Sequence, residues 1–84
     1  MQTQKEKLTH IIKTNGQIVC YSVRERNNVL DALHNLGVSA FGSTKIDEMY
    51  ISVSFENRNY WFCSSIYRPS ENNILGKDFL KLHK

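Results

Sequence analysis

The fold is decided by residues 49–67, MYISVSFENRNYWFCSSIY, in which apolar and polar side chains alternate on both sides of a polar tip. A period of two predicts a strand from Met49 to Phe55, because successive side chains of a strand point to opposite faces. A second strand-like run, YWFCSSIY, follows the tip ENRN and predicts an antiparallel hairpin. The predicted register has three pairs: Phe55–Tyr60, Val53–Phe62 and Ile51–Ser64.

The hairpin has one apolar face and one face on which aromatic side chains stand among serines. The apolar face, which we expect to enter the core, contains Met49, Ile51, Val53, Phe55 and Phe62. The other displays Tyr50, Trp61, Cys63, Ser65 and Tyr67, with Arg58 at the hairpin tip and Arg68 at its exit. Tyr, Trp and Arg are the residue types most enriched at interface hot spots. We therefore predict five partner-binding residues: Tyr50, Trp61, Tyr67, Arg58 and Arg68.

The aromatic face also has a competing interpretation, as an internal layer of the protein. The C-terminal segment carries Leu75, Phe79 and Leu82, and these side chains must be buried somewhere in the domain. A helix from Asn73, as its N-cap, to Leu82 would place them on one stripe. The sequence does not decide whether that helix covers the aromatic face or leaves it accessible.

The strongest turn signal of the chain is Asn15-Gly16, which separates the runs LTHIIKT and QIVCYSV. The Asn-Gly dipeptide tolerates the positive φ values of a type I′ turn, so it predicts a first hairpin over residues 8–23. In this hairpin Ile12 faces Val19. The first two elements of the domain would then be antiparallel strands.

Residues 24–37, RERNNVLDALHNLG, have leucines at helical spacing and end in a glycine. They predict a helix from about Glu25 or Asn28 to Leu36, capped by Asn27 or Asn28, with Gly37 as a left-handed C-cap. The leucine stripe is expected to pack on the first hairpin. A short strand around residues 38–41 is expected inside the loop that follows.

These elements predict a single small α+β domain of order β-β-α-β-β-α, with antiparallel hairpins packed against one central helix and a short C-terminal helix. Residues 1–7 are expected to form a polar N-terminal extension and residues 8–84 the domain. A chain of 84 residues is long enough for one core. The shares of 40% hydrophobic and 23% charged residues are those of a folded globular chain.

No apolar run approaches the length of a membrane span and the N-terminus is polar, so we expect a cytoplasmic protein without membrane association. The abundance of Asn, Lys and Ile is typical of A+T-rich coding sequence, as in low-G+C bacteria and their phages. The net charge of +3 allows an acidic partner, although no window holds a run of basic residues.

No motif in the chain carries a reaction. Cys20 and Cys63 lie inside apolar runs, and the three histidines do not share a metal-ligand spacing, so neither thiol catalysis nor a metal or other cofactor is expected. The segment Gly42-Ser43-Thr44-Lys45 lacks the spacing of a phosphate-binding loop. The sequence therefore predicts that the protein is not an enzyme.

Two functions remain for the aromatic face. The first is protein–protein interaction, as an inhibitor, adaptor or regulator, with a different protein or a second copy of the chain as partner. The second is single-stranded nucleic-acid binding, in which bases stack on the aromatic rings while Arg58, Arg68, Lys13 and Lys45 track the phosphates. We favour the first, because serines stand where that second function would place basic residues.

Overall fold

A computed structural model of the chain describes residues 3–40 and 49–83. Within these residues three helices pack on one face of a mixed five-stranded sheet, which confirms the predicted α+β class. The predicted element order is wrong. In chain order the elements are α1 (Gln4–Thr14), β1 (Ile18–Val19), α2 (Val23–Asn35), β2 (Val38–Ala40), β3 (Tyr50–Glu56), β4 (Asn59–Ser64), β5 (Ile74–Leu75) and α3 (Gly76–Leu80).

The sheet has the strand order β2-β4-β3-β1-β5. Its three central strands, β4, β3 and β1, are antiparallel, and a parallel strand flanks them on each side. Strand β1 pairs Ile18 with Ile51 of β3 and with Ile74 of β5. The sheet is therefore completed by contacts between segments far apart in the chain.

The β3–β4 hairpin confirms the predicted register at each of the three pairs. Its tip is a two-residue turn at Asn57 and Arg58, whose φ values are 53° and 63°. Two positive φ values at the central positions define a type I′ turn, the type that matches the twist of the flanking strands. The I′ geometry that the sequence predicts at Asn15-Gly16 is thus present at a different dipeptide.

The predicted hairpin over residues 8–23 is wrong, because residues 4–14 form helix α1. The Thr3 hydroxyl caps it by accepting a hydrogen bond from the Glu6 N–H at 3.1 Å. Gln4, Leu8 and Ile11 recur at helical spacing and are buried. Asn15 has φ 54° and ends the helix as a left-handed cap, a role that demands the same backbone freedom as an I′ turn.

Gly16 is required for a close approach and not for a positive φ. A Cβ atom at this position would lie 2.5 Å from the Asn72 carbonyl oxygen, well inside van der Waals contact. We expect Gly16→Ala to lower the free energy of unfolding by about 1–3 kcal/mol, as overpacking does. Denaturant unfolding measures this loss. Gly37→Ala has open space around it, so its own loss of about 1–2 kcal/mol comes from backbone strain at φ +87° and not from a clash. An unchanged midpoint for Gly16→Ala would contradict the close approach.

Helix α2 begins at Val23, earlier than predicted. Its cap is Ser22, whose hydroxyl accepts a hydrogen bond from the Glu25 N–H at 3.1 Å, so Asn27 and Asn28 lie inside the helix. Gly37 has φ +87° directly after the C-cap, which confirms the predicted left-handed residue. The buried stripe of α2 faces β2 and α3 instead of a first hairpin, because α1 stands where that hairpin was expected.

The predicted C-terminal helix from Asn73 to Leu82 is also wrong at its start. Ile74 and Leu75 form strand β5, and the Ile74 N–H donates to the Gln17 carbonyl at 2.9 Å. Helix α3 contains only residues 76–80, and Phe79 inserts between the other helices and the sheet. Pairing with β1 thus overrides the helical spacing of the leucines.

The core lies between the helices and the sheet. It contains twelve buried side chains: Leu8, Ile11, Ile18, Cys20, Val29, Ala32, Leu33, Val38, Ile51, Val53, Phe62 and Phe79. Gln4, Gln17 and Arg26 are buried polar residues. Within the described residues, Gln4 Oε1 and Arg26 Nε have no hydrogen-bond partner.

Among the helices of residues 3–40 and 49–83, none is long and apolar enough to cross a bilayer.

Candidate functional site

The sheet face opposite the helices, called here the open face, is formed by alternate residues of the five strands. Strand pairing places ten residues on it: Val19, Ser39, Tyr50, Ser52, Ser54, Glu56, Asn59, Trp61, Cys63 and Leu75. Helix α3 packs with α1, α2 and β1 on the other side of the sheet. No helix of residues 3–40 and 49–83 therefore covers the aromatic face, and the internal-layer interpretation through Phe79 is wrong.

At one end of the open face the structure brings together three of the predicted site residues. The rings of Tyr50 and Tyr67 lie 5.1 Å apart between centroids and are tilted by 43°. The Arg68 guanidinium donates to the Ser52 hydroxyl at 3.2 Å, two residues along β3 from Tyr50. Tyr67 is 47% exposed, so this end combines accessible aromatic surface with a positive charge.

Trp61 and Arg58 lie toward the opposite end of the open face. Trp61 pairs with Ser54, four residues along β3 from Tyr50, which is roughly 13 Å at the rise of a strand. Its indole N–H donates to the Glu56 carbonyl at 3.1 Å. Arg58 occupies the hairpin turn beyond it. The five predicted residues therefore form two separate groups.

Small polar side chains separate these two aromatic ends. Ser52 and Ser54 of β3 and Cys63 of β4 fill the centre, with Ser39 on the neighbouring strand. The Ser52 and Ser65 hydroxyls are 2.8 Å apart and share a hydrogen bond. These side chains are short, and the Arg68 guanidinium lies against them at Ser52.

A groove beside Tyr50, called here the tyrosine groove, has a volume of about 210 Å³. Eight residues line it: Val19, Tyr21, Tyr50, Tyr67, Ser70, Asn73, Ile74 and Leu75. Sequence reasoning missed Tyr21, Ser70 and Asn73, because the parallel pairing of β1 with β5 that assembles the groove leaves no local pattern. Tyr21 is 74% exposed and forms part of its rim.

The walls of the tyrosine groove are held by Gln17, which is fully buried. Its Nε2 donates to the Ser65 hydroxyl at 2.6 Å and to the Ile66 carbonyl at 2.8 Å. Its Oε1 accepts from the Arg68 N–H at 2.9 Å. Asn73 adds two bonds, accepting from the Gln17 N–H and donating to the Arg68 carbonyl, each at 2.8 Å. Residues 65–73 are thereby fixed on the sheet.

The two cysteines differ in accessibility, and both are free thiols. Cys63 is half-buried in the centre of the open face, whereas Cys20 lies in the core. Burial raises the pKa of the Cys20 thiol from its ordinary value of 9.0 to about 11, and the Glu25 carboxylate adds to the rise while Arg26 opposes it. Cys20 is therefore a poor nucleophile near neutral pH. Within the described residues, no group of His, Cys, Asp and Glu side chains has an arrangement suited to a metal ion.

The raised pKa of Cys20 predicts a loss of stability in alkaline solution. Between pH 9 and about 11 the unfolded chain releases the thiol proton and the folded chain retains it, so the free energy of unfolding falls as the pH rises. Below pH 9 both states hold the proton and the contribution is constant. Denaturant unfolding across this range is expected to show a steeper decline for the wild type than for Cys20→Ala. Parallel declines would contradict the burial of the thiol.

No family model, curated protein or solved structure matches the chain.

Proposed function

We propose that the chain is a non-enzymatic binding protein that docks a protein partner on the open face of its sheet. The observation that carries this proposal is the group formed by half-buried Tyr50 with exposed Tyr67 and Arg68, on a face that the described helices leave uncovered. Aromatic and arginine side chains supply most of the binding energy at protein interfaces. By occupying a surface of its partner, such a domain acts as an inhibitor, adaptor or regulator.

The charge of the protein favours an acidic partner. The chain has a net charge of +3. Within the described residues, the Arg68 guanidinium donates to a serine hydroxyl and contacts no carboxylate. A carboxylate from a partner would therefore complete its interactions without breaking an existing ion pair. Charge complementarity of this kind also raises the rate of association.

A second copy of the chain is a weaker candidate for the same face. Two copies would each carry a net charge of +3, and a face-to-face dimer would bring their arginines toward each other. The centre of the face is lined with serines, whereas obligate homodimer interfaces are more apolar than ordinary surface. Both features favour a different protein as the partner.

Single-stranded nucleic acid is the other alternative for an aromatic sheet face. A basic groove that follows the phosphates is the feature that accompanies such binding. Here the strand residues between the aromatic ends are serines and Cys63. Within the described residues, the only basic group placed among them is the Arg68 guanidinium at Ser52, and Glu56 adds a negative charge at the Trp61 end of the face. These residues favour a protein partner.

The test compares two aromatic side chains of similar exposure on opposite faces of the sheet. A partner is captured from native host lysate in the presence of nuclease and purified, and its affinity is measured by calorimetry. Tyr67→Ala is expected to weaken binding by about 2 kcal/mol or more, which is roughly 30-fold. Phe55→Ala is the control, because Phe55 is 52% exposed but belongs to the helix-side face.

Melting temperatures of both variants are measured beside the affinities. Equal affinity losses for Tyr67→Ala and Phe55→Ala, or a loss confined to Phe55→Ala, would contradict docking on the open face. Size measurements on the purified chain decide whether the captured partner is another copy. Association that nuclease treatment abolishes would favour the nucleic-acid alternative.

A further inference from the structure

We propose that the tyrosine groove receives one aromatic or branched aliphatic side chain from an acidic segment of the partner, with a nearby carboxylate of that segment paired to Arg68. This inference rests on the proposed function and names the chemistry that the open face recognises. One ligand segment would contact both the tyrosine groove, which the sequence did not predict, and Arg68, which it did.

The groove has a mixed lining, in which apolar walls stand beside the polar side chains of Ser70 and Asn73. Val19, Ile74 and Leu75 supply apolar surface, and the phenols of Tyr21 and Tyr67 lie among its walls. Its volume of about 210 Å³ is below the 300–1,000 Å³ that is usual for drug-sized ligands. An apolar cavity of about 150 Å³ holds a benzene ring, so the groove accommodates a phenylalanine or leucine side chain.

The groove is already formed in the unbound protein. The hydrogen bonds of Gln17 and Asn73 hold residues 65–73 in place, so Tyr67 needs little ordering when a ligand enters. Pre-organisation of this kind lowers the entropic cost of binding. A single inserted side chain can then contribute as an anchor residue.

The position of Arg68 sets the spacing between the anchor and the carboxylate. Its guanidinium bonds Ser52, two residues along β3 from Tyr50, which is roughly 7 Å at the rise of a strand. In an extended segment, side chains two residues apart point to the same side and have this same spacing. The favoured partner motif is therefore an apolar residue with an acidic residue two positions away.

The test uses short blocked peptides titrated into the isotopically labelled protein by NMR. The first probe is Glu-Ser-Phe-Ser-Glu, which places a carboxylate two residues from the phenylalanine in either direction of docking. A second peptide has alanine at its centre, and a third has glutamine in place of both glutamates. An oligothymidylate is the fourth probe.

The phenylalanine peptide is expected to give saturable amide shifts at Val19, Tyr21 and Leu75. The alanine peptide is expected to bind at least about tenfold more weakly, the size of effect that one anchor side chain produces. The glutamine peptide is also expected to bind more weakly than the phenylalanine peptide, and Arg68→Gln is expected to abolish that difference. Phe55→Ala is expected to leave all of these affinities unchanged.

The inference is overturned by equal affinity for the phenylalanine and alanine peptides, by the absence of saturable shifts, or by shifts confined to Thr9 and Ile12 on the helix side. Saturable binding of oligothymidylate to the groove in place of the peptides overturns it in favour of nucleic acid. If the peptides fail while Tyr67→Ala still weakens the captured partner, the proposed function stands and only the anchor motif falls. If the captured partner binds Tyr67→Ala as tightly as the wild type, both the proposed function and the anchor motif are contradicted.

Discussion

Replacing Phe79 by alanine is expected to lower the free energy of unfolding by about 3–5 kcal/mol, the usual loss for a buried phenylalanine. Phe79 is fully buried, and it is the aromatic side chain that helix α3 contributes to the core. The Phe79 carbonyl also accepts a hydrogen bond from Gln4 Nε2 at 3.3 Å, which ties α3 to α1. Because small domains have a total stability of about 5–15 kcal/mol, this single change removes a large part of it.

Equilibrium unfolding in urea measures this loss, and Phe55→Ala is the matched control. The two substitutions delete the same atoms, but Phe55 is 52% exposed, so its loss is expected to be much smaller. Phe79→Leu, which keeps most of the volume, serves if the alanine variant does not fold. Similar unfolding midpoints for the Phe79 and Phe55 variants would contradict the placement of α3 against the core.

Replacing Gln17 by methionine is expected to lower the free energy of unfolding by about 3 kcal/mol or more. Methionine has a similar length but cannot donate or accept as the amide does, so the Arg68 N–H and the Ile66 carbonyl lose their partners. Each buried polar group left without a hydrogen bond costs about 1–3 kcal/mol. The loss is expected to loosen residues 65–73 and to weaken partner binding through the displaced Tyr67.

Gln4→Met provides the control for Gln17→Met. Gln4 is also buried, yet its Nε2 makes one long hydrogen bond and its Oε1 has no partner among the described residues. The same substitution there is expected to cost much less. Urea unfolding measures both stabilities, and amide exchange of residues 65–73 measures the loosening. Equal losses for the two variants would contradict the central role of the Gln17 hydrogen bonds.

The β3–β4 hairpin was predictable because its information is local. Strict alternation from Met49 to Phe55 and a two-residue turn define the register within one short segment. The same kind of local signal gave a wrong prediction for the N-terminal segment. Asparagine in the left-handed region is favoured both in I′ turns and at helix ends, so Asn15 was compatible with either a hairpin or a helix. The helical spacing of Gln4, Leu8 and Ile11 was the signal in favour of the helix.

Strands β1 and β5 contain two residues each, which is too short to show a period. They form because Ile18 pairs with Ile51 and Ile74, partners far away in the chain. The leucines after residue 73 have helical spacing, and this tertiary pairing overrode it. Local patterns therefore predicted the fold class, helix α2 with its Gly37 cap, and one hairpin, whereas the sheet order depends on contacts that no local pattern records.

In the candidate site, too, some features were predictable from local alternation and others depend on contacts between distant parts of the chain. The alternation of the hairpin predicted that Tyr50 and Trp61 share a face, and the structure places both on the open face. The 5.1 Å approach of Tyr67 to Tyr50 depends on Gln17, which reaches residues 65–68 from the other end of the chain. Tyr21 joins the groove through the pairing of β1, so its role was not predictable from its neighbours.

The most direct test of binding at the open face is the alkylation rate of Cys63 with and without the purified partner. Cys63 lies in the centre of that face, while burial and a pKa of about 11 keep Cys20 nearly unreactive near neutral pH. The Cys63→Ser variant measures the residual rate from Cys20. We predict that saturating partner slows the alkylation of Cys63 at least about tenfold, as burial of the thiol in an interface requires. An unchanged rate at saturation would show that the partner binds elsewhere and would contradict the account.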